Sequence, residues 1–123
     1  MITDLNELQV TLHELLKTQV PPLQVRKDNE NVFEVAGTKE AMQGKQKVDG
    51  FYFASVVPKP KDIRLYYFPI YTHVDQFALS PELQKCLKGK SCFHIKKLSP
   101  ELVEEIKQMI QKGVDTYLEA DLI

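Results

Sequence analysis

The side chains best suited to chemistry lie in the second half of the chain. Cys86, Cys92 and His94, with His73 further back, are soft and borderline metal ligands. Structural zinc takes its ligands in pairs two to four residues apart, whereas these cysteines are six apart and fall on different predicted elements. Cys92 and His94 alternate onto one face of a strand. That spacing favours small buried thiols over a metal centre. Gly89-Lys90-Ser91 carries the end of a phosphate-loop motif, but its first glycine would fall at position 84, where Gln84 stands. A glycine between lysines there suits a helix end better than a nucleotide cradle.

Nucleophilic catalysis needs a nucleophile, a base and an orienting group. The only histidines are His13, His73 and His94, and no serine or cysteine sits in a G-x-S-x-G elbow. The sequence thus gives an enzyme no anchor. Gly50-Phe51-Tyr52-Phe53 has the aromatics of an RNA-binding sheet, but Asp49 replaces the basic residue before the glycine and Val56 replaces a later aromatic.

Charge placement says more than the total of −1, which offers no long-range steering toward nucleic acid or anionic membrane. Lys85, Lys88, Lys90, Lys96 and Lys97 fall in a stretch without an acid, and Glu101, Glu104, Glu105, Asp115, Glu119 and Asp121 follow. Lysine clusters ordinarily face solvent. Joined to Lys59 and Lys61, this one would form a small anion-binding patch.

The elements that must position these groups can be read from periodicity. Leu5, Leu8, Leu12, Leu15 and Leu16 make one helical stripe, with a cap at Thr3 or Asp4 and a stop at Pro21-Pro22, so a helix is predicted from Asp4 to Thr18. Val32, Phe33 and Val35 predict a short strand within Asn31 to Gly37. Thr38 to Asp49 is polar and aperiodic and is expected to be a long loop. Gly50 to Val57 and Ile63 to Phe68 form a hairpin around Pro58-Lys59-Pro60-Lys61-Asp62, apolar on both faces and so expected to be at least partly covered on both.

Ser80-Pro81-Glu82 and Ser99-Pro100-Glu101 repeat one helix-start signal of capping serine, proline at the first position and acid in the first turn. The first opens a short helix running to Lys88 with Gly89 as its left-handed cap. The second opens a long helix with Leu102, Ile106, Met109, Ile110, Val114 and Tyr117 inward, and Glu104, Glu105, Lys107 and Gln111 facing water. Ser91 to Ile95 is the strand between them. His13 falls beside the apolar stripe of the first helix.

The 123 residues, 43% hydrophobic and 27% charged, suit one globular domain. The first residues, Met1-Ile2-Thr3-Asp4, predict no secretory signal, and no apolar run is long enough for a membrane span. Two cysteines are too few for a disulfide framework and point to reduced thiols in the cytoplasm. The predicted fold is an α+β two-layer sandwich, an antiparallel sheet of about four to six strands packed against N- and C-terminal helices.

Leu65-Tyr66-Tyr67-Phe68-Pro69 and Lys88-Gly89-Lys90-Ser91-Cys92-Phe93-His94-Ile95-Lys96-Lys97-Leu98 make the chain from Gly50 onward resemble the YdhG-like family of bacterial domains. The resemblance covers roughly the last 70 residues and leaves Val20 to Asp49 unmatched. It implies a compact α+β fold of the frataxin type and carries no catalytic motif. Some relatives are described as frataxin-like iron chaperones, which implies iron binding by acids of the first helix, here Asp4, Glu7 and Glu14, with Thr11 interrupting that face.

The sequence therefore points to a non-enzymatic binding domain without a cofactor. Its partner would be a small molecule or protein, with no role for nucleic acid or membrane. The expected ligand surface joins Tyr66, Tyr71 and His73 at the hairpin end to Lys88 and Lys90 of the lysine-rich turn. The runner-up is iron handling at Asp4, Glu7 and Glu14.

Overall fold

A computed structural model describes residues 1–123. The elements, in chain order, are α1 (Leu5–Lys17), β1 (Gln24–Asn29), β2 (Val32–Ala36), β3 (Ala41–Gln43), β4 (Gln46–Val48), β5 (Tyr52–Pro58), β6 (Ile63–Tyr67), α2 (Pro69–Thr72), α3 (Pro81–Cys86), β7 (Leu87–Lys88), β8 (Cys92–Ile95) and α4 (Pro100–Glu119). A 3₁₀ turn at Val74–Gln76 follows α2. Six strands form one sheet in the order β1-β2-β5-β6-β8-β7, and every pairing is antiparallel. The fold is an α+β sandwich with the terminal helices α1 and α4 on one face of that sheet.

The caps act as their chemistry requires. The carboxylate of Asp4 accepts the amide of Glu7, and the hydroxyls of Ser80 and Ser99 accept the amides of Leu83 and Leu102. Leu8, Leu12 and Leu16 of α1 are fully buried, as are Ile106 and Tyr117 of α4. They pack on Phe33, Val35, Ala54, Val56, Leu65, Tyr67 and Phe93 of the sheet. Each such aliphatic side chain contributes roughly 1.5–3 kcal/mol of transfer free energy, so the helix-facing layer carries most of the fold's stability. His13 stacks on Phe33 at 3.8 Å between ring centroids, so it belongs to the edge of the core.

The hairpin is covered by helices on one face and only partly covered on the other, where Ser55 is buried and Tyr52 and Tyr66 are half-buried. The apparent two-sidedness of Gly50 to Val57 comes from a β-bulge: Val35 pairs with Ala54 and Ala36 with Tyr52, which leaves Phe53 as the extra residue. Phe53, Ala54 and Val56 therefore all sit in the core, while Tyr52 turns outward to Ser55. The outward face is polar. Its central row runs Lys27, Glu34, Ser55, Tyr66, Cys92, Lys88 across all six strands.

Four expectations change. Gln24–Asn29 is an edge strand, though it carries almost no apolar residue. The expected loop of residues 38–49 contains the β3–β4 hairpin, with Gly44 at φ 64° in its turn. The helix opened by Ser80 stops at Cys86, because Leu87 and Lys88 pair with Phe93 and Cys92. Gly89, at φ 69°, turns that β-hairpin instead of capping the helix. Glu105 does not face water: its carboxylate accepts both the amide and the hydroxyl of Ser80, at 2.8 and 2.6 Å, and ties α4 to the start of α3.

Candidate functional site

The predicted ligand residues fall into separate places. Tyr66 lies half-buried in the middle of the open sheet face, beside Cys92 on the next strand, and Cys92 in turn opposes Lys88. Tyr71 is half-exposed on α2, stacked on Phe68 at 5.7 Å and covered by the ammonium of Lys90 at 5.4 Å from its ring centre. His73 turns the other way. Its Nδ1 lies 2.9 Å from the Thr72 hydroxyl, which in turn lies 2.7 Å from the buried Tyr117 hydroxyl. The structure thus joins Tyr71 with Lys90, sets Tyr66 and Lys88 on one row with Cys92 between them, and places His73 in the packing of α2 against α4. The strand ends at Tyr67 and Pro69 starts a new helical turn, which removes His73 from the strand end where the sequence put it.

The acids of the first helix do not assemble. Asp4 is occupied as the cap of α1, and Glu7 and Glu14, two turns apart, are separated by about 10 Å along the axis. No group of three or more His, Cys, Asp or Glu side chains lies close enough to hold a metal ion. No helix is long and apolar enough to cross a membrane.

The lysine run does build something. A groove of about 900 Å³ opens between α3, β7–β8 and the first turn of α4. Lys85, Lys88, Lys96 and Lys97 wall it, and the capped start of α4, at Ser99 to Leu102, closes one end. The helix dipole adds partial positive charge there. Lys59 and Lys61, expected to join the patch, are exposed in the β5–β6 turn and do not line the groove. Of the acids on its walls, Asp62 is already engaged. Its buried carboxylate lies 3.2 Å from Arg64 Nε and 3.6 Å from His94 Nδ1. Glu82 accepts the Ser99 hydroxyl at 3.4 Å, and Glu101 is exposed.

Cys86, in the groove, and Cys92, on the sheet face, are both free, and burial pushes both thiols up. Glu82 adds to the rise at Cys86. A nucleophilic cysteine needs the opposite shift.

Sequence reasoning found the lysines because they fall in one stretch without an acid. It missed Asp62, read only as a turn residue, because its partners meet it through the β6–β8 register: Arg64 opposes His94. Comparison with family models, curated proteins and solved structures finds no match to this chain.

Proposed function

We propose that this chain is a non-enzymatic binding domain whose ligand surface is the lysine-walled groove, and that its ligand is an anion. The observation that carries this reading is the convergence of Lys85, Lys88, Lys96 and Lys97 on one concavity, where Asp62 is spent on Arg64 and His94. Four ammonium groups on a concave wall concentrate positive potential that a flat lysine surface would disperse. Lys88 is shared with the surface expected from sequence, while Lys90, two residues on, is held over Tyr71. From β5 onward the chain runs through paired aromatic strands, a short helix, a lysine- and glycine-rich turn, a strand and a closing helix. That order supports the YdhG-like reading. The iron reading keeps only the resemblance behind it.

The test is titration with tripolyphosphate and, separately, with an oligo-glutamate peptide, followed by backbone NMR at low and moderate salt. The reading expects shifts at Lys85, Lys88 and Lys96 with one probe or both, weakening as salt rises. The triple variant Lys88→Gln, Lys96→Gln, Lys97→Gln should bind at least tenfold more weakly. Unchanged affinity in that variant removes the proposal, and the two probes separate phosphate from carboxylate as the preferred anion.

A further inference from the structure

A second cavity, of about 390 Å³, lies at the opposite end of the open sheet face. Its floor is Arg26, Glu34, Ala36, Gly50 and Tyr52, and its roof is the β3–β4 hairpin. The size lies at the lower end of the range for small-molecule sites.

Two irregularities in the sheet create this floor. Between β1 and β2 the register passes from Val25–Val35 to Lys27–Glu34, so Arg26 is an extra, unpaired residue. Between β2 and β5 the bulge at Phe53 turns Tyr52 outward. Bulges bend a strand and re-aim its side chains, and they are concentrated beside functional sites. Here two separate bulges deliver their neighbours to the same cavity.

The polar groups inside are only partly used. Arg26 gives one Nη1 hydrogen to the Gly50 carbonyl at 3.3 Å, leaving the rest of its fork unspent. Gln43 accepts the Tyr52 amide through Oε1 at 3.1 Å, leaving its amide nitrogen free to donate. The Tyr52 hydroxyl is bonded to Ser55. Burial, with a smaller contribution from the negative charge of Glu34, pushes the Tyr52 phenol up to about 12 and keeps it neutral. Lys47 is paired with Glu40 at 3.0 Å. Arg26, Glu34 and Asp49 take part in none of the chain's ion pairs. One small cavity therefore presents a guanidinium and two carboxylates that form no ion pair with one another.

We infer that this cavity binds a small zwitterion, a free α-amino acid, whose carboxylate meets Arg26 and whose ammonium meets Glu34 and Asp49. The planar fork of arginine matches a carboxylate in a bidentate arrangement that a lysine could not supply. An ammonium brings three donors to the two carboxylates. The amides of Gln43 and Gln46 remain for the side chain. A purely anionic ligand would face Glu34 and Asp49 unpaired, and a purely cationic one would face Arg26, so charge of both signs is what the site selects.

The experiment uses the full chain and the twenty common L-amino acids, each titrated to millimolar concentration while backbone amides of Glu34, Gln43 and Tyr52 are followed by NMR. The inference expects saturable shifts there with at least one amino acid. Its N-acetyl and carboxamide derivatives, which lose one charge each, should bind at least tenfold more weakly. Arg26→Gln and Glu34→Gln should each cost a similar factor, with their melting temperatures recorded to show that they fold. Lys88→Gln, in the groove at the other end of the sheet, should leave this binding unchanged. No shift with any amino acid overturns the inference, and so does equal binding of these singly charged derivatives.

Discussion

Gly113 of α4 and the hydroxyl of Tyr67 on β6 share one space: a Cβ on Gly113 would sit 2.0 Å from Tyr67 Oη, 3.0 Å from its Cζ and 3.1 Å from the ring of Pro69. The bare backbone lets the buried phenol reach past it and donate to the Met109 carbonyl at 2.5 Å. A glycine inside a 20-residue helix costs about 1 kcal/mol of helix propensity, so this contact outweighs the local preference. Gly113→Ala should destabilise the protein by about 2–4 kcal/mol despite its better propensity, read as a fall in urea midpoint. Adding Tyr67→Phe to that variant should restore part of the loss. If alanine alone stabilises the chain, the steric account is wrong.

Glu105 anchors α3 through Ser80. Truncating it to alanine strands a half-buried amide and hydroxyl, at a cost of about 1–3 kcal/mol. Hydrogen exchange at Leu83 should quicken by more than exchange in α1, because the contact holds one short helix. Equal acceleration everywhere would show only global destabilisation.

Asp62 carries two opposed effects. It is buried between Arg64 and His94 and also lines the lysine groove. Asp62→Asn should lower stability, since a buried carboxylate loses its charge-assisted bond to the part-exposed Arg64. It should also tighten tripolyphosphate binding at low salt, because the groove loses a negative charge. Calorimetric unfolding and anion titration on the same sample test both signs, and weaker anion binding in the folded variant would contradict the groove's electrostatics.

Alkaline pH should unfold the protein early. Burial raises the phenols of Tyr52, Tyr67 and Tyr117 above the ordinary tyrosine value of 10.0, Tyr52 to about 12. A weak acid whose pKa is higher when folded holds more protons in the folded state once pH passes the unfolded pKa. Stability from these groups is therefore complete below about pH 10 and lost as pH rises through their folded values, with Tyr52 alone accounting for roughly 2–3 kcal/mol. Melting temperature should be flat near neutrality and fall steeply above pH 10. The tyrosinate absorbance of these three phenols should appear together with unfolding. Ionisation of all five tyrosines well before the chain unfolds would contradict this.

What could be read from the residues follows from where each is buried. The leucine stripe of α1 and the two Ser-Pro-Glu starts are local signals, and both survive into the structure because capping and one-sided burial depend on near neighbours. β1 could not be seen because it is an edge strand whose residues are nearly all exposed, so no alternation of apolar side chains marks it. β3 and β4 are three residues each and barely buried. Gly89 misled because a left-handed glycine serves a helix end and a tight hairpin equally well. The lysine groove was half legible: its lysines cluster in one acid-free stretch of sequence, but its acids and its concavity depend on strand register. The cavity around Arg26 was not legible at all, because a bulge leaves no trace in composition.

The β3–β4 hairpin leaves and rejoins the sheet at a single point. Gly37, just before it, donates its amide to the carbonyl of Phe51, just after it, at 2.9 Å, and β2 and β5 then continue side by side as partners. The sheet closes behind this excursion as a seam closes behind a stitch. Segments of other length or sequence can thus be exchanged there while the core keeps its pairing, and the part of the molecule that roofs the small cavity is also the part freest to diversify.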